Sequence, residues 1–488
     1  MPGRDEHHRR GQRGALVHKL GTLIVALVLV SAVGAYVGLI PTLGSSSSSH
    51  HALAEPPASA PGLQLARPPT AKPVLRPVEA AGALSAAKVG KRLSSLVSRP
   101  ALGKHVGVAV AELGSDTMLW QVGTPPAFTP ASMMKLLTTT TALQTMGPGK
   151  RFTTSVVASK GSRRIVLVGG GDPLLAVETP SPKEARSLYP DPASLQHLAA
   201  QTARSLTKHG VRRVRLGYDA SLFTGPAVNP HWEPNYVPES VVSPISALWV
   251  NEGREVAGLA KRVPDPARFA ATQFAQQLHK HGIDVKGEPT ARQAAPGAHR
   301  VAAVHSPPLA QIVQHILEVS DNEGAEVLLR QSALATGRPG SATAGVEAVR
   351  ATLADLGVEL RGARIYDGSG LSRHDRLPIR SLVQVLQTAA DPAHPKLRRV
   401  VASLPVAGFT GSLGYRFFDD APRGVGVVRA KTGTLTGVHA LAGFVATRDQ
   451  HALVFVAVGD QVPVPKTLDA RADLDTIATA LATCGCSQ

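Results

Sequence analysis

Twenty consecutive residues without a charge, Gly21 to Ile40, constrain this chain more than any other feature. They follow a head that carries Arg4, Arg9, Arg10, Arg13 and Lys19 against Asp5 and Glu6, and Pro41 ends them. A cleaved export signal has an apolar core of about 7–15 residues, whereas a spanning helix needs about 20. Length therefore favours a signal-anchor over residues 21–40. A cleaved signal is the alternative, with Val33-Gly34-Ala35 as a weak small-residue site. The basic flank puts residues 1–20 in the cytoplasm and the bulk of the chain outside. On either reading the rest must fold in the cell envelope or beyond it.

Residues 41–82 read as a linker. They hold Ser45 to Ser49 in a row and eight prolines between Pro41 and Pro77. Such a stretch cannot bury apolar area and serves as a spacer. The remainder of the chain is long enough for a sizeable core, and a chain with 43% apolar and 18% charged residues is no polyampholyte tail. The net charge of +17 invites a nucleic-acid partner. The arginines are scattered, however, with no finger spacing and no aromatic-basic interleaving, so no nucleic acid is expected. Attraction to an anionic envelope explains the charge as well. The only cysteines, Cys484 and Cys486, exclude a disulfide framework and a Cys-based zinc domain. They are expected in a surface tail, residues 484–488. Eighteen histidines form no H-E-x-x-H pair, so neither a metal nor a cofactor is expected.

Beyond the linker the pattern turns globular. Ser85 to Leu96 has helical spacing, and Val106 to Leu113 with Met118 to Val122 reads as a strand pair. Next comes Thr129-Pro130-Ala131-Ser132-Met133-Met134-Lys135. Thr129 is a good N-cap and Pro130 suits a first turn, which puts Ser132 at a helix start and Lys135 one turn on. A serine hydroxyl needs a base, and a neutral lysine can serve. By itself S-x-x-K is weak, because the chain has three: Ser85/Lys88, Ser132/Lys135 and Ser205/Lys208. Two others supply company. Ser320-Asp321-Asn322 is the only S-x-N and Lys431-Thr432-Gly433-Thr434 the only K-T-G. The three together sign a penicillin-recognising serine acyltransferase. Ser132/Lys135 has the capped helix start; the other two matches read as solvated helix faces.

On these motifs the chain resembles the D-alanyl-D-alanine carboxypeptidase/endopeptidases of the serine peptidase S13 group, the class C low-molecular-mass penicillin-binding proteins. The likeness runs from about Ala83 to Thr483. It includes Gly169 to Pro173, Pro307-Pro308-Leu309, Ala325-Glu326, Asp367 to Arg373 and Leu404 to Gly408 with Gly411-Ser412-Leu413. It implies an α/β penicillin-binding protein/β-lactamase-like transpeptidase fold: an antiparallel sheet flanked by helices, a helical subdomain, and an inserted strand-containing domain. The peptidase domain is then expected at 83–153 and 264–483 and the insertion at 154–263, with strands near Arg164 to Val168 and Val214 to Tyr218. Trp232 and Tyr236 read as packing residues near the cleft.

The resemblance implies chemistry too. Ser132 is the nucleophile and Lys135 its base, with a pKa depressed by the nearby cation Lys431. Ser320 relays a proton between the two lysines. Asn322 binds the substrate amide. Lys431, Thr432, Gly433 and Thr434 hold the terminal carboxylate. Ser369 and Arg373 contact substrate, Arg373 at the third stem residue. Expected partners are peptidoglycan stem peptides, β-lactams as covalent inhibitors, and a membrane through the N-terminus. Two departures, Glu323-Gly324 after Asn322 and Ser412 for a common threonine, are expected to leave the chemistry alone. The rival readings are a β-lactamase and a non-catalytic β-lactam or peptidoglycan sensor on the same fold.

Overall fold

The computed structural model describes residues 82–488, apart from 116, 124–126 and 182–188. The basic head, the apolar run 21–40 and the linker expected at 41–82 lie, but for residue 82, outside the described residues. Among the described residues no helix is long and apolar enough to cross a membrane.

In chain order, helix α1 (Ala86–Val97) precedes strands β1 (Val106–Glu112), β2 (Met118–Val122) and β3 (Ala127–Phe128). A 3-10 turn (Ala131–Met133) then leads into α2 (Met134–Met146). A second set runs β4 (Thr153–Ala158), β5 (Arg164–Val168), α3 (Leu195–Lys208), β6 (Arg213–Asp219), α4 (Pro266–Lys280), β7 (Asp284–Val285), β8 (Thr290–Ala291) and β9 (His299–His305). The chain then forms α5 (Leu309–Val319), α6 (Asn322–Ala335), α7 (Ala342–Asp355), β10 (Leu377–Pro378), α8 (Ile379–Ala390) and α9 (Arg398–Ala402). Strands β11 (Arg429–Leu435), β12 (Val438–Ala446) and β13 (Ala452–Gly459) and helix α10 (Thr467–Ala482) complete it.

One sheet has the order β11-β12-β13-β1-β2, and its pairs are antiparallel. Alternation along these strands sends side chains to two cores. Ala109, Ala111, Ala440, Ala442, Val454 and Val456 face a helical layer that includes α2, α5 and α8. Val108, Val110, Leu441, Phe455 and Ala457 face α1 and α10. Helix α2 is the axis of the helical side: Met134 to Leu143 are all buried. Two of its threonines are satisfied there, Thr138 donating to the Gly368 carbonyl at 2.7 Å and Thr139 to the Lys135 carbonyl at 2.6 Å, while the Thr140 and Thr141 hydroxyls are buried without a partner.

The second sheet, β7-β6-β5-β4-β9 with β8 beside β6, carries both strands expected in the insertion. It reaches beyond the expected boundary at Val263, however. Helix α4 packs Ala270, Phe274 and Leu278 into the core of this sheet, and β9 pairs with β4 over Thr153 to Ala158. The second sheet and its packed helices therefore extend to His305. Residues 484–488 also differ from the expected surface tail. Cys484 and Cys486 form a disulfide and are 5% and 0% exposed. Ser85 donates to the Cys486 carbonyl and Gln488 to that of Ala83, both at 2.8 Å. Paired backbone polar groups make this end part of the core against α1 rather than a solvated tail.

Candidate active site

Three backbone features build the cleft. Ala131 has φ 46°, a left-handed conformation rare for a residue with a Cβ, and it turns the chain just before Ser132. Gly370 packs on that turn; a Cβ there would stand 1.8 Å from the Ala131 carbonyl oxygen. Gly433 lies against the same segment, where a Cβ would come within 2.8 Å of the Pro130 carbonyl oxygen. Only glycine lets these two segments close on the nucleophile. Thr129 is not the cap expected. Its N–H donates to Asp460 and its hydroxyl accepts from Arg376, both at 2.9 Å, so its side chain braces the turn from outside.

The Ser320-Asp321-Asn322 segment is a helix–helix corner. Ser320 ends α5 in the left-handed region, at φ 63°, and Asp321 caps α6 by accepting from the Gly324 N–H at 3.0 Å. This corner hands Asn322 to Lys135. The Lys135 ammonium reaches Ser132 Oγ at 3.0 Å, Asn322 Oδ1 at 2.7 Å and the Ser369 carbonyl at 2.7 Å. A neutral amine keeps two N–H donors and one lone pair. The Asn322 and Ser369 oxygens can only accept, so the lone pair is left for the Ser132 hydroxyl. Across the cleft, Lys431 donates to Ser320 Oγ at 2.9 Å and to the Thr432 carbonyl at 3.0 Å.

Both lysines are fully buried. Burial pulls Lys135 down to about 8, against the opposing pull of Asp321, Asp367, Glu326 and Glu323. Burial pushes Lys431 well below its ordinary value, and the Lys135 charge adds to the push. The expectation that Lys431 depresses Lys135 is thus corrected: desolvation by burial is the largest cause.

Ser369 is also corrected. Its side chain is buried, and its hydroxyl donates to Glu326 at 2.8 Å rather than facing substrate. Its contribution is the carbonyl on Lys135. Glu326 Oε1 holds that loop by accepting also from the Gly368 and Ser369 N–H groups, at 2.8 and 2.9 Å. Asp367 fixes the other side, accepting from Gly370 and Ser372 at 2.7 Å and from Trp232 Nε1 at 2.8 Å. Sequence reasoning assigned Glu326 and Asp367 no role, although both lie in segments that carried the resemblance.

Ser412 does touch the site: Thr432 Oγ1 lies 2.9 Å from its hydroxyl. Glu323 ties the corner to the inserted unit through Arg262 at 2.7 Å and the Ser243 N–H at 3.2 Å. Gly324 packs closely under the cap: a Cβ there would meet Asp321 Oδ2 at 2.2 Å and displace the capping carboxylate. Thr434 is exposed on edge strand β11. Arg373 lies at the rim, donating to the Thr436 carbonyl at 2.7 Å with Glu233 at 4.0 Å. Tyr236 is hydrogen-bonded to the same arginine, and Trp232 is buried, as expected of a packing residue. Of the other S-x-x-K pairs, Ser85 caps α1 and Lys88 is exposed; Ser205 and Lys208 lie at the end of α3. Neither joins the cleft.

A cavity of about 500 Å³ opens beside Ser320 and Asn322, walled by Glu252, Arg254, Arg262 and His315. Among the described residues, the one grouping with metal-ligand chemistry is here: Glu252, His315 and Asp321, within 4.8 Å of one another. Glu252 already pairs with Arg254, which supplies the positive charge a cation would bring.

The chain is similar over most of its length to one family of known proteins. The profile of the D-Ala-D-Ala carboxypeptidase 3 (S13) family matches residues 89–261 and 254–481. A carboxypeptidase of Mycobacterium tuberculosis is 35% identical over 428 residues, 86% of this chain and 89% of its own. Carboxypeptidase DacB of Mycolicibacterium smegmatis is 33% identical over 475 residues, 95% of this chain and 96% of its own. Penicillin-binding protein 4 of Haemophilus influenzae superposes with a TM-score of 0.64 at 21% identity, covering 79% of this chain and 98% of its own. That likeness shows the penicillin-binding fold.

Proposed function

The chain belongs to the D-Ala-D-Ala carboxypeptidase 3 (S13) family, and from that premise we propose that it hydrolyses the D-Ala–D-Ala bond of peptidoglycan stem peptides through an acyl-enzyme on Ser132. The observation that carries the reading is the Lys135 amine, buried, lowered to about 8 and 3.0 Å from Ser132 Oγ with its two acceptor partners set. Neutral Lys135 takes the hydroxyl proton as Oγ bonds to the carbonyl carbon. The N–H groups of Ser132 and Thr434 receive the oxyanion. Collapse breaks the C–N bond, and the leaving amine takes a proton by way of Ser320 and Lys431. Water then releases the acyl group. Asn322 spends its oxygen on Lys135 and keeps its NH₂ for the substrate amide. Lys431, Thr432 and Thr434 hold the terminal carboxylate, and Gly433 leaves room for it.

Edge strand β11 offers unpaired backbone groups along which an extended peptide can lie. At its end Arg373 suits a carboxylate, such as that of a diaminopimelate third residue, and Glu233 supplies the opposite charge beside it. The D-Ala–diaminopimelate cross-link is the second substrate this cleft would accept. Residues 21–40 would hold the enzyme at the outer face of the membrane, where its substrate lies.

Penicillin tests the assignment of the serine. The β-lactam ring presents an amide and a carboxylate in the place of D-Ala–D-Ala, and the opened ring stays attached to block water. Brief exposure should leave one adduct, on the tryptic peptide containing Ser132. Ser132→Ala should abolish it; Ser85→Ala and Ser205→Ala should not. Folded protein with no adduct, or with release at β-lactamase rates, contradicts the reading.

A further inference from the structure

We propose that an exposed aromatic lip beside the cleft, formed by Phe409, Tyr415 and Phe418, binds the glycan strand to which the stem peptide is attached; the inference deepens the peptidase reading and rests on it. The three rings are 67%, 95% and 53% exposed. Among the described residues only one other Phe, Tyr or Trp, Tyr189, is exposed to that degree. Nothing in the core asks for rings here, since Ala407, Leu413 and Phe417 supply this segment's buried contacts. An exposed cluster of this kind marks a binding surface rather than a stabilising one.

The lip is built, not merely exposed. Phe418 lies close over Gly408: a Cβ there would stand 3.3 Å from its ring. Phe409 rests on Gly426, where a Cβ would lie 3.4 Å from its ring. The glycines set the two rings as fixed faces.

It is also continuous with the catalytic cleft. Ser412, between Phe409 and Tyr415, bonds Thr432 of the K-T-G strand. Gly411 is pressed against the Glu318 carbonyl, where a Cβ would be 2.2 Å away, and Glu318 leads through exposed Val319 to Ser320. One loop therefore touches both motifs and turns its rings outward. A stem peptide of about four residues reaches roughly 14 Å at full extension. The sugar chain must pass close to the cleft mouth, where the lip stands.

Chemistry selects the occupant. Pyranose rings present polarised C–H faces, and these stack on the electron-rich face of an aromatic ring. Their hydroxyls need polar partners alongside, and exposed Asp419, next to Phe418 in the chain, offers an acceptor. A bilayer is the poorer fit. Surfaces that bind membranes frame their apolar residues with Lys and Arg. Here two aspartates follow Phe418 directly.

The test compares the full-length wild type with Phe409→Ala/Tyr415→Ala and with Tyr415→Trp. The probes are insoluble sacculi, glycan strands stripped of their peptides, and anionic phospholipid vesicles. The double variant should bind sacculi and stripped strands about tenfold more weakly. Tyr415→Trp, which keeps a stacking face, should bind like wild type. D-Ala release from a soluble pentapeptide and penicillin acylation of Ser132 should be unchanged in both. Equal retention of stripped strands by wild type and double variant overturns the proposal, as does wild type that fails to bind them. Loss of vesicle binding in the double variant, with strand binding intact, assigns the lip to the membrane instead. A wild type that binds strands but releases no D-Ala sinks the peptidase reading and leaves the lip standing.

Discussion

Lys135, on helix α2, and Lys431, on strand β11, are both fully buried, yet their surroundings differ in charge. The helix side of the cleft brings four carboxylates to bear on Lys135: Asp321, Asp367, Glu326 and Glu323. The strand side brings none to Lys431, whose bonds go to a hydroxyl and a backbone carbonyl. Desolvation lowers both amines, and the helix side alone sets carboxylates against it. A substrate carboxylate arriving at the K-T-G strand supplies the strand side with a counter-charge. It favours protonated Lys431, whose charge then favours neutral Lys135, the form that can accept from Ser132. We propose that this difference couples substrate binding to activation of the base.

The most drastic break is Lys135→Ala. It removes the amine bonded to Ser132, and acylation by penicillin or peptide should fall by about 10³-fold or more, the upper part of the range for a positioned base. Folding should persist, since apolar contacts carry α2. Acylation rates from stopped-flow or gel labelling measure it, and turnover near wild type would remove Lys135 as the base. Lys431→Ala attacks the strand side. It takes the carboxylate's partner but leaves the base, so a smaller loss of about 10²-fold is expected, concentrated in substrates that carry a C-terminal carboxylate. An amidated peptide should lose less, since for it only the proton path through Ser320 is cut; a loss of equal size on both peptides would contradict the carboxylate role of Lys431.

Titration sharpens the comparison without removing either lysine. Lys135 in the folded protein lies at about 8, below its ordinary 10.5, and acts when neutral. The kcat/KM profile, which reports the free enzyme, should therefore rise with pH through about 8 and level above it. The kcat profile reports the bound state. There the charge on Lys431 holds Lys135 neutral, so the rising limb should lie at lower pH. Identical limbs in the two profiles would break the coupling. Glu326→Gln moves the same limb from the other side. It removes one of the charges that favour protonated Lys135, and the kcat/KM limb should shift to lower pH by less than about one unit. The variant also strips Arg330 of its buried partner at 3.3 Å, which should cost roughly 3–5 kcal/mol of stability in a denaturant melt.

Legibility in the sequence divides in a similar way, between local and assembled features. The β1/β2 pair, α1 and the three catalytic motifs were legible because periodicity, turn residues and motif spacing are local signals. The full extent of the second sheet was not. Helix α4 has an amphipathic pattern that would suit either core, and two-residue strands such as β7 and β8 have no period to read. The cap assigned to Thr129 failed because Ala131 turns the chain in a conformation that no propensity favours. The Ser369 hydroxyl and the carboxylates around Lys135 were hidden for a different reason. Glu326 and Asp367 are 41 residues apart, and only the packed helices bring them to one loop. The C-terminal residues looked like a tail because the strand-like pairing of Ser487 with Leu84 spans the whole described chain.

The smallest effect is expected at the rim, where the same strand meets the inserted unit. Arg373 is anchored at the Thr436 carbonyl and partly exposed, with Glu233 on the far side at 4.0 Å. Solvent screens a contact made there, so its loss should be modest, a few-fold rather than a hundredfold. Its sign depends on the substrate. A diaminopimelate side chain ends in a carboxylate and an ammonium, which match Arg373 and Glu233 in turn; a lysine side chain offers only the ammonium. Arg373→Ala should therefore lower kcat/KM for diaminopimelate peptides about two- to fivefold, within the range of one exposed charge pair. Lysine peptides should change by less than twofold. Arg373→Lys keeps the charge without the forked donor and should recover part of the loss. Competition between the two peptides in a single reaction gives the ratio directly. Equal losses on both would mean that Arg373 serves only to hold β11 against the inserted unit, and that third-residue selection lies elsewhere in the cleft.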